Sequence, residues 1–200
     1  MSQPFLLGLT GSIGMGKSTT AALFAAEGIP VWDADATVHA LYAAGGAAVA
    51  GIAVLFPDAA KGGFVDRARL KAHIAADPAA LTRIEALVHP LVASHRAGFI
   101  AGAAAMGARL IVLDIPLLFE TGADKTVDAT VVVTAPLEVQ RARVMERPGM
   151  TADHFQTILA RQMPDAEKRA RATHVIETTT LDAARAAVRA LIARLEPNHA

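Results

Sequence analysis

The residues best placed to do chemistry begin at Gly11. Gly11–Ser18, GSIGMGKS, fits the pattern G-x-x-x-x-G-K-S/T without a mismatch. Glycines let such a backbone turn so that successive N–H groups face phosphate oxygens. Lys17 is then placed to reach the β- and γ-phosphates, and the Ser18 hydroxyl to ligate Mg²⁺. The alternative is a glycine turn ahead of an ordinary helix. A phosphate loop points to ATP or GTP and leaves the recipient of the phosphoryl group open.

Acids downstream bear on that recipient. Asp33 and Asp35, in DAD, follow a short apolar run, Ile29–Trp32. On extended chain their i, i+2 spacing points both carboxylates to one side. One near Mg²⁺ and the other accepting a proton from an acceptor hydroxyl is a workable division of labour. The alternative is an Asx-type helix start capped by Asp35. Asp114 closes a second apolar run, LIVLD, where a carboxylate beside a phosphate loop holds hydrated Mg²⁺ or, alternatively, caps a helix or anchors a loop. Glu120 lies just beyond, as a substrate contact or a helix cap. Arg143 and Arg147 are i, i+4 and share a face if the segment is helical. Their planar guanidinium groups suit a lid that closes over phosphates, with Gly149 as hinge and Arg147 as the phosphate contact; otherwise they pair with Glu138 and Glu146 on a solvated surface.

Elements must position these groups. Phe5–Leu9, Ile29–Trp32, Arg109–Ile115, Ala129–Thr134 and, more weakly, His174–Ile176 read as buried strands, the third and fourth rich in β-branched residues. Lys17–Glu27 reads as a helix ending at Gly28, and Leu181–Leu195 as an amphipathic helix. Strands alternating with helices imply right-handed βαβ crossovers and a three-layer α/β fold with a parallel sheet of about five strands. From Ala36 to Met106 no strand is expected. Asp66–Ala75, Pro78–Val88 and Pro90–Met106 read as separate helices, with Asp66, Asp77 and His89 at cap positions. A second helical block, Pro136 to Arg171, is rich in arginine.

Composition narrows the class. Two hundred residues suffice for one compact domain with inserted subdomains. With 53% hydrophobic and only 4% aromatic residues, the chain reads as globular and helix-rich. Nineteen basic residues balance nineteen acidic ones, so no net field draws it to nucleic acid or membrane. The absence of cysteine excludes disulfides, thiolate nucleophiles and cysteine zinc sites. FLLGL has no cationic region ahead of it and is too short for a signal-peptide core or membrane span, so a cytoplasmic location is expected.

The motifs together resemble the dephospho-CoA kinase family across nearly the whole chain: GLTGSIGMGKST, DADATVHAL, GGFVDRARL, EALVHPLV, VLDIPLLFETGADKTVD, VVVTAPLEVQRARVMER and RQMPDAEKRARATHVIE. The phosphate loop is shared too widely to select a family. DAD, the His89-Pro90 pair, PLLFE, and Gln140 with Arg143 and Arg147 are far more specific. The resemblance implies a P-loop kinase fold and ATP-dependent phosphorylation of the ribose 3′-hydroxyl of dephospho-CoA, with Mg²⁺. It assigns residues 1–35, 107–140 and 172–200 to the nucleotide-binding core, 36–106 to a helical CoA-binding subdomain and 141–171 to a lid. Gly11, Ser12, Ile13, Gly14, Met15, Gly16, Lys17, Ser18, Thr19 and Arg143 are then expected around ATP. Lys17, Asp35 and Arg147 are expected to act in catalysis, with Asp35 as base, and Ser18, Asp33 and Asp114 around the metal. Asp35, Arg67, His89 and Glu120 are expected to face the acceptor. Thr173 and Thr178 replace the family's usual Asp and Asn, which leaves purine contacts there unassigned. ATP and dephospho-CoA are the expected partners, with no nucleic acid or membrane, for a monomer or weak oligomer.

Two other classes remain. A kinase for a nucleoside monophosphate, shikimate or gluconate predicts the same loop and lid with a smaller acceptor subdomain than residues 36–106. A regulatory P-loop switch predicts an exposed effector surface rather than paired acids at the sheet edge.

Overall fold

A computed structural model describes residues 3–195. The chain opens with β1 (Phe5–Thr10), α1 (Lys17–Ala26) and β2 (Val31–Asp33). Four helices follow: α2 (Ala34–Tyr42), α3 (Val49–Leu55), α4 (Arg67–Ala76) and α5 (Pro78–Ala105). Then come β3 (Leu110–Asp114), β4 (Ala129–Thr134), α6 (Leu137–Met145), α7 (Ala152–Leu159), α8 (Asp165–Arg171), β5 (His174–Glu177) and α9 (Leu181–Leu195). Short 3₁₀ turns occupy Pro57–Ala59 and Ala123–Thr126.

The strands form one sheet in the order β2-β3-β1-β4-β5, parallel at β1–β3, β1–β4 and β4–β5. Leu7 lies opposite both Val112 and Ala129, and Val132 opposite Val175. On one face, Leu7, Leu9, Val131, Val133 and Ile176 share a core with Leu23 and Phe24 of α1 and with Ala184, Val188, Leu191 and Leu195 of α9. The α9 residues recur at intervals of three and four, one stripe of a helix. Ile111, Leu113 and Val132 alternate to the other face and are also fully buried. A sheet covered on both faces explains why its strands read as continuous apolar runs. The chain passes from β1 outward to β2, back to β3, and across β1 to β4. β1 is therefore the point where the winding reverses, and α/β sheets bind ligands outside the carboxyl end of such a strand. Gly11–Gly16 lies there.

The described chain divides into two compact units, 3–32 with 102–195, and 33–101. The second has its own core, built on Leu41, Ile52, Phe56, Val65, Leu70, Ile84 and Val88. The expected lid segment, 141–171, falls within the first unit and consists of the end of α6, then α7 and α8, broken at Pro148-Gly149 and at Arg161–Pro164.

One helix boundary differs from expectation. Pro78–Val88 and Pro90–Met106 are a single 28-residue helix with Pro90 inside it, so His89 is an interior residue rather than a cap. An interior proline removes one hydrogen bond and costs about 3 kcal/mol. The offset is visible in the packing. Ile84 and Val88 before the proline, and Leu91 and Val92 after it, lie on one stripe against the same core. Ending the helix at Pro90 would withdraw Leu91 and Val92 from it.

Candidate active site

The phosphate loop is held by bonds from three distant segments. Its shape needs glycine at two positions, Gly14 and Gly16, with φ of 78° and 86°. A Cβ on Gly14 would lie 2.5 Å from Val144 Cγ2 and 3.0 Å from the Gln140 carbonyl, so α6 packs directly on the loop. Gln140 also donates from Nε2 to the Ile13 carbonyl at 2.7 Å, while the Ile13 N–H donates to Gln162 Oε1 at 3.1 Å. One loop residue is thus gripped at both polar ends by side-chain amides. The Met15 carbonyl accepts from Thr178 Oγ1 at 2.8 Å, and Met15 Sδ accepts from the Ala135 N–H at 3.1 Å.

The loop leads into α1, whose N-cap is Gly16 with no side-chain cap and whose first turn holds no acid. Its orphan N–H groups and the positive end of its dipole face outward, an anion site at a helix start. Ser18 and Thr19 are exposed there. The Ser12 hydroxyl, in contrast, is buried and has no hydrogen-bond partner among the described residues.

Lys17 Nζ donates to Asp114 Oδ1 at 2.6 Å, and the Asp114 side chain is 2% exposed. A buried carboxylate at the end of β3 and the loop lysine therefore neutralise each other. Glu120 is engaged differently from its expected substrate role. Its Oε1 accepts from Lys168 Nζ at 2.9 Å and from the Met163 N–H at 2.8 Å. Lys168 is fully buried and also donates to the Pro116 carbonyl at 3.3 Å. Burial pushes the Glu120 carboxyl up, but the Lys168 and Met163 hydrogen bonds outweigh it and hold the group below its ordinary value. Its described contacts anchor the segment entering α8.

The arginines do not share a helix face. α6 stops at Met145, with Glu146 as its C-cap, so Arg147 lies beyond the helix in the Pro148-Gly149 turn and is exposed. Arg143 instead donates to Thr178 Oγ1 at 3.1 Å and to the Thr178 carbonyl at 2.6 Å. Thr178 thereby ties Arg143, the Met15 carbonyl and the Thr134 carbonyl together. Thr173 makes reciprocal bonds with Thr130, Thr130 N–H to Thr173 Oγ1 at 3.2 Å and Thr173 N–H to Thr130 Oγ1 at 3.0 Å.

The paired acids belong to the second unit and do not lie on one extended strand. β2 ends at Asp33 and α2 begins at Ala34. Asp33, not Asp35, is the cap: its Oδ1 accepts from the Ala36 N–H at 2.9 Å. Asp35 sits exposed in the first turn of α2, where an acid also complements the helix dipole. Arg67, the first residue of α4, meets the His39 imidazole, and His89 is exposed on α5. The first unit thus gathers Gly11–Thr19 with Asp114, Arg143, Gln140, Gln162 and Thr178, while Asp33, Asp35, Arg67 and His89 lie on the second. Gln162, Thr178 and His39 escaped the sequence reading as site residues. The first two reach the loop from 149 and 163 residues away, beyond any local spacing rule.

A parallel sheet with a phosphate loop at its reversal point, a lysine on a buried strand-end carboxylate and a separate helical unit define a P-loop kinase. Residues 5–182 match the family model for dephospho-CoA kinase. The chain is 64% identical over 193 residues to the dephospho-CoA kinase of Cereibacter sphaeroides, covering 96% of each chain. It is 61% identical over 191 residues to that of a Jannaschia species, covering 96% of this chain and 97% of the relative. A crystal structure of a Thermus thermophilus protein superposes with a TM-score of 0.83 at 38% identity, covering 97% of this chain and 99% of that one. The chain belongs to the dephospho-CoA kinase family.

Proposed function

We propose that the protein transfers the γ-phosphoryl group of ATP to the ribose 3′-hydroxyl of dephospho-CoA, giving CoA and ADP. The observation that carries this reading is a built phosphate loop in a chain that matches the family over residues 5–182. Gly14, Gly16 and the first turn of α1 cradle the phosphates through backbone N–H groups. Lys17 exchanges Asp114 for the β- and γ-phosphates, so its charge follows the transferring group into the transition state. Asp35 accepts the proton of the acceptor hydroxyl and orients it. Because phosphoryl transfer passes through a loose transition state, orientation matters more than base strength. Arg147, on an exposed turn, adds positive charge over the phosphates as the lid closes.

Mg²⁺ suits the oxygen donors present. Among the described residues no group of three or more His, Cys, Asp or Glu side chains could cage a metal. Ser18 and Asp114 match a cation that keeps waters and shares its shell with substrate phosphates. Bound there, the ion would neutralise phosphate charge.

Among the described residues no helix is long and apolar enough to cross a membrane. The test is product analysis. Protein, Mg²⁺-ATP and dephospho-CoA should give CoA and ADP in equal amounts, and chelation of Mg²⁺ should abolish both. ATP binding without CoA on mass spectrometry overturns the reading.

A further inference from the structure

The second unit carries a cation whose bonding is unusual for its type. Arg67 Nη1 lies 2.7 Å from His39 Nε2. A guanidinium has no lone pair, so Arg67 donates, the imidazole accepts, and the proton of the neutral ring sits on Nδ1. Arginine is best matched to carboxylate or phosphate, and a neutral imidazole engages one of its five N–H groups.

Neighbouring carboxylates are committed to other partners. Asp66 caps α4, its Oδ1 accepting from the Ala68 and Arg69 N–H groups, and its Oδ2 lies 3.3 Å from Arg69 Nε. Asp58 takes His73 at 2.8 Å and Arg69 at 3.9 Å. Among the described residues none pairs a carboxylate with Arg67, and Arg67 and His39 are both exposed. The pair is a standing demand for an anion.

Its position specifies which anion. His39 is four residues after Asp35 on α2, so the two side chains share one face a turn apart. A ribose carries its 3′-hydroxyl and its 5′-phosphoryl group on opposite sides of one ring, a span comparable to one helical turn, ~5.4 Å. An acceptor whose 3′-hydroxyl meets Asp35 presents its 5′-substituent at the next turn.

We infer that Arg67 and His39 form the subsite for the 5′-diphosphate of the acceptor nucleotide. This rests on the reading of Asp35 as the residue that takes the acceptor hydroxyl. The fork of Arg67 spans two phosphoryl oxygens, and His39 holds it in place and adds a second donor from its other nitrogen. The pair selects acceptors by charge at the 5′ position and leaves the donor nucleotide alone.

Calorimetric binding on the full chain tests this without needing turnover. Dephospho-CoA and adenosine are titrated into wild type, Arg67→Ala, Arg67→Lys and His39→Ala, with thermal melts run on each. Charged hydrogen bonds of this kind make the expected loss of dephospho-CoA affinity on the order of ten- to a hundredfold for Arg67→Ala. The loss is smaller for His39→Ala, and intermediate for Arg67→Lys, which keeps charge without the fork. Adenosine and ATP affinities should stay within about twofold of wild type on the same footing, since neither loses a contact. Unchanged dephospho-CoA affinity in Arg67→Ala overturns the subsite, as does an equal loss for adenosine. Wild-type protein that binds dephospho-CoA with this discrimination yet makes no CoA supports the subsite and overturns the kinase reading. Wild-type protein that binds no dephospho-CoA overturns both.

Discussion

The phosphate loop and the start of α2 carry the proposed donor and acceptor chemistry, and they are built in opposite ways. Ile13 and Met15 are fixed by Gln140, Gln162, Thr178 and Ala135, so the protein's own hydrogen bonds set the shape of the loop. Asp35 and the Arg67–His39 pair are exposed, and among the described residues the carboxylate of Asp35 is held by no tether comparable to those on the loop. The difference follows from what each must bind. A loop that receives phosphates on backbone N–H groups must hold those groups still, because each misdirected N–H weakens charge stabilisation. Side chains that receive a long, flexible acceptor can be ordered by it, at some cost in binding free energy.

Asp35→Asn should produce the largest effect, because it removes the proposed base while keeping size and polarity. Turnover should fall by about two to four orders of magnitude, the scale of general-base loss, with both substrates still bound. Asp33→Asn should differ. Asn caps a helix as well as Asp, so its melting temperature should hold while apparent Mg²⁺ affinity drops and excess metal partly restores the rate. If Asp33→Asn is dead with metal affinity intact and Asp35→Asn is rescued by metal, the two roles are exchanged.

Lys17→Ala should come next, with turnover down on the order of a hundredfold or more. The fold is not indifferent to this change, because Asp114 would be left buried without its cation, a loss of about 3 kcal/mol or more. Adding Asp114→Asn should recover much of the melting temperature and none of the rate. A double variant as unstable as Lys17→Ala would show that the Lys17–Asp114 pair is not what stability depends on there.

The smallest effect belongs to the anchor at Glu120. Its carboxyl titrates lower in the folded chain than unfolded, so its stabilisation is fully present above the ordinary value of 4.5 and fades as pH falls through the folded one. The stability gap between wild type and Glu120→Gln should therefore be widest near neutrality and narrow as pH falls below 4.5 and through the lower folded value. Exchange at the Met163 amide should speed up in the variant at neutral pH. A gap that is constant from pH 3 to 7 would mean the Lys168 contact is energetically silent.

Much of the frame was legible because it rests on local pattern. Ala129–Thr134 and Leu181–Leu195 are found where β-branched runs and helical spacing put them, and GSIGMGKS sits between strand and helix as its glycines require. Failures arose where a tertiary contact overrode a local rule. Pro90 should have ended a helix, but Leu91 and Val92 had a core to reach. Asp33 and Asp35 looked like one extended pair because nothing in DAD shows that the strand stops at its first residue. Arg143 and Arg147 have helical spacing, yet the helix ends between them. Thr178 looked like a loss relative to Asn, and its hydroxyl is a joint between the loop and Arg143.

The long reach of the loop's tethers has a consequence for the chain during its synthesis. Gln140, Gln162 and Thr178 are synthesised 127, 149 and 163 residues after the loop residues they hold. At ~5–20 residues per second the loop waits roughly ten to thirty seconds for its last tether. A nascent chain therefore carries the nucleotide-binding motif in its sequence without the rigid cradle. Competence to bind ATP arrives only once Thr178 has been made, and a chain cut short before it should be unable to sequester or waste ATP.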